Sequence, residues 1–211
     1  MTLAEAVVFI VDDDELIRDS LEQLVKSVGL KAETFPSAQS FLDAELLDQP
    51  SCLVLDVRMP GMSGLDLQDE FEQRDFSIPI IFITGHGTVP MSVRAMKGGA
   101  VDFLQKPFED QDLLDTIYHA IEQSRHSRLE QTEKKEIDQR IASLTTRERE
   151  VLVLVVTGML NKQVAYDLNM GENTVKTHRA RIMHKMAVES LADLVRAIEK
   201  TDIQLPKSNP R

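Results

Sequence analysis

Four apolar runs in the first half of the chain each lead to a polar side chain that can bind a charged group. The runs are Val7 to Val11, Leu53 to Leu55, Ile80 to Ile83 and Val101 to Leu104, and they lead to Asp12 and Asp13, Asp56, Thr84 and Lys106. Continuous apolar runs are what strands buried on both faces of a parallel sheet require. Because ligands of open α/β sheets bind beyond the carboxyl ends of the strands, we expect these polar groups to meet at one sheet edge.

Amphipathic stretches alternate with the strand-like runs, which is typical of βαβ units. The first stretch ends at Gly29, a natural helix C-cap, and the fourth contains Val93 and Met96. The apolar face predicted for the first helix consists of Leu16, Ile17, Leu21, Leu24, Val25 and Val28. We therefore predict an α/β unit with five strands and five helices.

The 211 residues suffice for two modest domains, and the net charge of -11 is concentrated in the first of them, whereas the second is slightly basic. We place the boundaries at residues 1–122, 123–142, 143–203 and 204–211, for a first domain, a charged helical linker, a second domain and a flexible tail. Ile137, Ile141 and Leu144 recur at helical spacing, so the linker either packs on the second domain or a partner, or remains solvated. The single Cys52 and the lack of an export or membrane-spanning segment favour a cytoplasmic protein.

The predicted crevice would hold three carboxylates, a hydroxyl and an ammonium. Carboxylates that repel one another recruit a cation, and oxygen ligands that leave room for water and phosphate suit Mg²⁺. Lys106 and Thr84 could then bind phosphoryl oxygens. Together these groups predict a site in which a carboxylate accepts phosphate.

The first domain resembles two-component receiver domains, and among them those of FixJ-type response regulators. The stretches that carry the resemblance are Val11-Asp12-Asp13-Asp14, Leu55-Asp56-Val57-Arg58-Met59-Pro60-Gly61-Met62-Ser63-Gly64, Ile83-Thr84-Gly85-His86-Gly87 and Lys106-Pro107-Phe108. The family fold is a flavodoxin-like parallel sheet of order 2-1-3-4-5. The resemblance implies that Asp56 is the phosphoacceptor, that Asp12, Asp13, Asp56 and the Arg58 carbonyl hold Mg²⁺, and that Thr84 and Lys106 bind the phosphoryl group. It also implies a cis Lys106-Pro107 bond.

By the same resemblance, Phe103 is the aromatic side chain that turns inward on phosphorylation. We expect this switch to prepare a dimer surface on the fourth helix, with Val93 and Lys97 on its exposed side. Phosphatases of the haloacid-dehalogenase type also use an aspartate after an apolar strand, but they carry a second acid two residues on. That position is Arg58 here, so we expect no turnover enzyme.

The second domain begins with Thr145 and Glu148 at capping-box spacing, which predicts a helix start. We interpret Val151 to Val156 as part of that buried helix, and we expect further helices at Asn161 to Leu168 and Glu172 to Met186. On the last of these, Val175, Ile182 and Met186 form the buried stripe. Its other side presents Lys, Thr and Arg side chains, which suits either a DNA major groove or a solvated basic face.

This region resembles the LuxR-type helix-turn-helix in the following residues: Leu144-Thr145, Arg147-Glu148-Arg149-Glu150-Val151-Leu152, Gly158, Asn161-Lys162, Ala165, Thr174-Val175-Lys176, His178, Ile182 and Lys185. The resemblance implies a four-helix domain in which Thr174, Lys176 and Thr177 face the groove. It places Lys162, His178 and Lys185 near the DNA backbone, and Arg181 lies on the outward face between these sets. Gly171 and Ala180 depart from residues that relatives often carry, which leaves the base preference open.

The combined resemblance implies a response regulator that a sensor histidine kinase phosphorylates at Asp56. The receiver would then form a homodimer, and paired helix-turn-helix domains would bind promoter DNA with two-fold symmetric half-sites. Resemblance favours activation of transcription, with RNA polymerase as a further partner. The alternative is a DNA-binding regulator that works without phosphorylation and carries a vestigial receiver.

Overall fold

A computed structural model describes residues 6–46, 48–73 and 76–201 of the chain, apart from the side chain of Glu72. The chain divides into two compact units, Met1–Arg128 and Leu129–Arg211. This division falls inside a long helix, and the boundaries predicted at 122 and 142 stay predictions. The flexible tail predicted at 204–211 lies outside the described residues.

The first unit contains a parallel five-stranded sheet with the order β2-β1-β3-β4-β5. The strands are β1 (Val7–Val11), β2 (Lys31–Phe35), β3 (Ser51–Asp56), β4 (Ile80–Thr84) and β5 (Asp102–Gln105). Every residue of β1, β3 and β4 is buried, which is why these strands appear in the sequence as continuous apolar runs. The predicted α/β class and strand order are confirmed.

Helices cover both faces of the sheet, as the parallel connections require. They are α1 (Glu15–Ser27), α2 (Ala38–Leu42), α3 (Gly64–Gln73), α4 (Val89–Lys97) and α5 (Asp110–Ala142). Successive residues of β1 alternate between two cores, because strand side chains point to opposite faces. Phe9 packs with α2 and α3 residues, whereas Val8 and Ile10 pack with residues of α1 and α5.

Two predicted apolar faces were partly wrong. On α1, Leu16 is 79% exposed and Val28 is 37% exposed, although Leu21 and Val25 are buried as expected. Leu16 lies in the first turn and Val28 caps the last, so helical periodicity continued past the part of the helix that covers the sheet. On α4 the prediction named Val93 and Met96, which are both exposed, while the short Ala95 is the buried residue.

The carboxyl end of α4 is held by a buried glutamine of α3. The side chain of Gln68 donates from Nε2 to the carbonyl oxygens of Ala95 at 3.0 Å and Gly98 at 2.7 Å. A Cβ atom on Gly98 would lie 2.8 Å from the Gln68 amide, so a side chain at this position would displace that amide from its two carbonyl partners. At the other end of α4, the Thr88 side chain makes no capping hydrogen bond.

The second unit packs the end of α5 with four further helices: α6 (Thr146–Val156), α7 (Asn161–Asp167), α8 (Glu172–Met186) and α9 (Leu191–Glu199). The Thr145 and Glu148 capping box is present, with each side chain accepting from the other residue's main-chain N–H. Ile137, Ile141 and Leu144 are buried in the core of this unit, so the end of the predicted linker packs on the helical domain. Within the described parts of the chain, no helix has the length and hydropathy needed to cross a membrane.

Candidate functional site

The predicted polar groups lie at the carboxyl ends of four neighbouring positions in the sheet. Asp12 directly follows β1, Asp56 ends β3, Thr84 ends β4, and Lys106 directly follows β5. Asp12, Asp56 and Thr84 are buried, while Lys106 keeps 19% of its side chain exposed. The parallel arrangement of the strands is what brings together residues as distant in sequence as Asp12 and Lys106.

Lys106 joins two of the carboxylates. Its Nζ donates to Asp12 Oδ2 at 2.8 Å and to Asp56 Oδ1 at 3.0 Å. The second oxygen of each carboxylate accepts from the main chain: Asp14 N–H lies 2.9 Å from Asp12 Oδ1, and Arg58 N–H lies 2.6 Å from Asp56 Oδ2. The two acids are thus fixed in orientation, and a single cation neutralises part of their charge.

Burial and pairing act in opposite directions on the charges of this site. Burial raises the pKa of Asp56 above its ordinary value, although Lys106 and the Arg58 N–H favour the carboxylate. For Lys106, burial favours the neutral amine, but the hydrogen bonds to Asp12 and Asp56 outweigh it and raise the pKa. Lys106 is therefore a stable ammonium at neutral pH, as its predicted role requires.

Asp13 was predicted as a third acid of the crevice, but its side chain is exposed beside the buried Asp12. Among the described residues, no cluster of three or more His, Cys, Asp or Glu side chains is arranged as a metal site. Two fixed carboxylates that share one ammonium still offer the hard oxygen ligands that suit Mg²⁺. The donor set therefore fits the predicted ion, and Asp12 and Asp56 are the two of its three predicted carboxylates that the structure holds together.

Thr84 and Phe103 are connected through the loop that follows β4. Thr84 Oγ1 accepts from the main-chain N–H of His86 at 3.2 Å. A Cβ on Gly87 would lie 3.0 Å from the Phe103 ring and 3.2 Å from the Thr84 methyl group. Phe103 is half-buried in this arrangement, and the Lys106-Pro107 bond is cis as expected.

A second candidate surface lies on α8. Val175, Ile182 and Met186 are buried, which confirms the predicted stripe. The predicted groove-facing residues and the outward arginine are all exposed, namely Thr174, Lys176, Thr177 and Arg181. The α8 N-cap is Gly171, which has no side chain to accept from the first main-chain N–H groups of the helix.

The three residues predicted near the DNA backbone differ in their surroundings. Lys162 on α7 is exposed, and His178 is half-buried with no described hydrogen-bond partner for its Nδ1 atom. Lys185 is engaged inside the unit, because its Nζ donates to Glu148 Oε2 at 2.7 Å and to the Ser143 carbonyl at 3.1 Å. From the sequence, Glu148 was identified as a helix cap and as part of the LuxR-type resemblance, but its pairing with Lys185, 37 residues away, was not predicted.

The two residues expected on a dimer surface are both exposed on α4. Val93 is 46% exposed, and Lys97 lies one turn further on. Val89 and Met96 add exposed apolar side chains to the same short helix.

Comparison with known protein families gives one match for each unit. The response regulator receiver domain matches residues 8–118, and the bacterial regulatory proteins of the luxR family match residues 142–198. The first match contains all four strand-end groups, and the second contains α6, α7 and α8.

Similar proteins extend over nearly the whole chain. Nodulation protein W of Bradyrhizobium diazoefficiens is 51% identical over 94% of this chain and 88% of its own. Transcriptional regulatory protein FixJ of Azorhizobium caulinodans is 43% identical over 90% of each chain.

Among solved structures, that of the response regulator StyR covers 93% of this chain and 99% of its own, with a TM-score of 0.82 and 47% identity. Full-length FixJ from B. japonicum covers 94% of this chain and 98% of its own, with a TM-score of 0.57 and 40% identity. The chain therefore belongs to the two-component response regulators that join a receiver domain to a LuxR-type helix-turn-helix.

Proposed function

We propose that this protein is a transcription regulator activated by phosphorylation of Asp56 by a sensor histidine kinase. The observation that carries the proposal is the convergence of Asp12, Asp56 and Lys106 within hydrogen-bonding distance at the carboxyl edge of the sheet. A receiver that had lost this function would have no need to keep two acids and a lysine together in a partly desolvated crevice, where the acids repel each other.

In the proposed reaction, an Asp56 carboxylate oxygen attacks phosphorus while the bond to the kinase histidine nitrogen breaks. The Lys106 ammonium then exchanges its contact with Asp56 for one with a phosphoryl oxygen, and the Thr84 hydroxyl donates to another. Asp12, Asp13, Asp56 and the Arg58 carbonyl would hold Mg²⁺, which supplies neutralisation of charge on the transferring group. Arg58 provides no general acid beside Asp56, so the step is a single phosphorylation rather than catalytic turnover.

The output would begin at Thr84. Its hydroxyl would leave the His86 N–H for the phosphoryl group, and the loop that contacts Phe103 through Gly87 would follow. The state favoured by phosphate would pair two receivers through α4, with Val93 and Lys97 in the contact. The exposed apolar side chains of Val89, Val93 and Met96 support this surface, because apolar groups that cluster on a protein surface are stabilised when a partner covers them.

The paired second units would bind promoter DNA. Thr174, Lys176 and Thr177 would face the major groove, and Lys162, His178 and Arg181 would lie toward the phosphates. Lys185 is not among these phosphate contacts, because its ammonium already has an internal partner. We place the protein in the cytoplasm and expect it to activate transcription together with RNA polymerase.

The test is the mass of the full chain in solution with Mg²⁺, before and after addition of beryllium fluoride as a phosphoryl mimic. We expect the wild type to convert from monomer to dimer and Asp56→Asn to remain a monomer. Asp115→Asn is the matched control, because it removes an exposed aspartate of α5 and should dimerise like the wild type. Equal masses for the wild type in both conditions, with DNA binding intact, would instead support the vestigial receiver.

A further inference from the structure

We infer that Lys185 is a positioning residue that fixes the end of α8 within the helical unit and does not contact the DNA backbone. The inference rests on the proposed DNA-binding function, and it reassigns a lysine whose place in the sequence motif suggested a phosphate contact. Two contacts of the Lys185 ammonium carry it, one with a side chain and one with the main chain.

The first contact is an ion pair with a buried acid. Glu148 keeps only 3% of its side chain exposed, and its Oε2 atom lies 2.7 Å from Lys185 Nζ. Withdrawal of the ammonium toward a phosphate would leave a buried carboxylate without its counter-charge, which is costly. The hydrogen bonds from Lys185 and the Thr145 N–H lower the pKa of Glu148 to about 2, so the carboxylate is charged throughout the physiological range.

This ion pair connects two helices at defined points. Glu148 is the third residue of α6 and completes the capping box with Thr145. Lys185 is the penultimate residue of α8. The pair therefore joins the start of α6 to the end of the helix that presents Lys176 and Arg181, and it limits rotation of that exposed face.

The second contact brings in the end of α5. Lys185 Nζ donates to the Ser143 carbonyl at 3.1 Å, just after the last residue of that helix. Two arginines make similar contacts nearby: Arg149 Nη2 donates to the Ala142 carbonyl at 2.9 Å, and Arg140 Nη1 donates to the Met186 carbonyl at 3.3 Å. Helix ends leave carbonyl groups without main-chain partners, and cations are favourable there.

Glu148→Gln distinguishes a phosphate-binding Lys185 from one that positions α8, because the two roles predict opposite changes in DNA affinity. The glutamine oxygen can still accept from the Thr145 N–H, so the cap remains while the charge of the pair is lost. If Lys185 bound phosphate, removal of its internal competitor would strengthen DNA binding. If Lys185 positions α8, the same variant should weaken binding to a specific duplex, on the order of tenfold.

The experiment uses full-length protein with beryllium fluoride and Mg²⁺, and a DNA duplex that the wild type selects from a random-sequence pool. Affinities for this duplex and for a scrambled one are measured over a range of salt concentrations. We expect Glu148→Gln and Lys185→Met to reduce the ratio of the two affinities and to leave the salt slope of the wild type unchanged. Lys185→Arg should keep the ratio of the two affinities close to that of the wild type, because arginine can donate to both the Glu148 carboxylate and the Ser143 carbonyl.

Lys162→Met is the matched control, because it removes a lysine that is exposed on the same unit. The slope of the logarithm of its DNA-binding constant against the logarithm of the salt concentration should become less steep by about 0.9, the value for one lost phosphate contact. A fall of this size in Lys185→Met, or tighter binding by Glu148→Gln, would overturn the inference. An unchanged affinity ratio in both variants would overturn it as well. If the wild type selects no duplex at all, it is the proposed DNA-binding function that fails.

Discussion

Charged side chains are buried against one another at the strand ends of the receiver, whereas those on the outward face of α8 in the helical unit are exposed to solvent. Asp12, Asp56 and Lys106 each contact another member of their group. Arg181 and Lys176 project from α8 into solvent. A buried group depends on its partners, so the loss of one member changes the energy of the others, whereas exposed cations act nearly independently.

The Glu148–Lys185 pair lies between these extremes, because it is a partly buried ion pair inside the DNA-binding unit. A lysine at the edge of a basic surface can thus contribute to the stability of the core through a buried partner. The three charge arrangements should differ in the size of their effect on stability and in their dependence on pH and salt.

The largest effect should come from Lys106→Met. Without Mg²⁺ the variant leaves Asp12 and Asp56 together with no cation, and we expect the receiver to lose about 2 kcal/mol of unfolding free energy. This is less than for a fully buried pair, because Lys106 keeps 19% of its side chain exposed. The measurement is denaturant-dependent hydrogen exchange of β1 and β3 in the full chain with EDTA.

Lys97→Met is the control for Lys106→Met, since it removes an exposed lysine and should change stability by less than about 0.5 kcal/mol. Addition of Asp56→Asn to Lys106→Met should recover part of the loss, because it removes one of the two repelling charges. Equal losses of unfolding free energy in the two lysine variants would show that Lys106 stabilises the receiver no more than an exposed lysine does.

An intermediate effect should come from Glu148→Gln, and it should depend on pH. The folded pKa of about 2 lies below the ordinary value of 4.5, so the carboxylate stabilises the helical unit above pH 4.5. That stabilisation declines as the pH falls from about 4.5 toward 2. We expect Glu148→Gln to cost about 1.5 kcal/mol at pH 7, the low end for a hydrogen bond to a charged group, and less at pH 3.

Hydrogen exchange of α6 and α8 at matched pH measures this difference between the wild type and Glu148→Gln. Glu150→Gln provides the control on the same helix, because its carboxylate pairs with Arg147 on the surface. If Glu148→Gln lost as much unfolding free energy at pH 3 as at pH 7, the charge of the pair would contribute nothing to stability.

The smallest effect on stability should come from Arg181→Met, within about 0.5 kcal/mol of the wild type. Its effect should appear in DNA binding instead, where the salt dependence of the binding constant should become less steep by about 0.9. Lys26→Met removes an exposed cation from α1 of the receiver and should leave the slope unchanged. If Arg181→Met lowered stability by as much as Lys106→Met, the contrast between buried and exposed charges would be lost.

The receiver site could be predicted in advance because topology determines it. A parallel sheet places every strand end on one edge, so the residues after the apolar runs meet there whatever their separation in sequence. Asp12, Asp56, Thr84 and Lys106 are positioned in this way. The direction of a side chain beyond the strand end is a local matter, and the exposure of Asp13 beside the buried Asp12 could not be deduced.

Helical periodicity predicted the elements of the second unit but not all of its contacts. The buried stripe of α8 and the capping box before α6 follow from spacing within a single helix. The partnership of Glu148 with Lys185 depends on how two helices cross, which no local pattern records. For the same reason, the spacing of Leu16 indicated an apolar face without showing where the sheet beneath it ends.

The Gln68 amide adds side-chain hydrogen bonds to only one end of α4. Its two hydrogen bonds hold Ala95 and Gly98, while Thr88 at the opposite end lacks a side-chain cap. At about 1.5 Å per residue, the ten residue steps from Thr88 to Gly98 span roughly 15 Å. In the proposed switch, a displacement that begins at Thr84 would reach the Thr88 end of α4 first, so Val89 would move farther than Lys97.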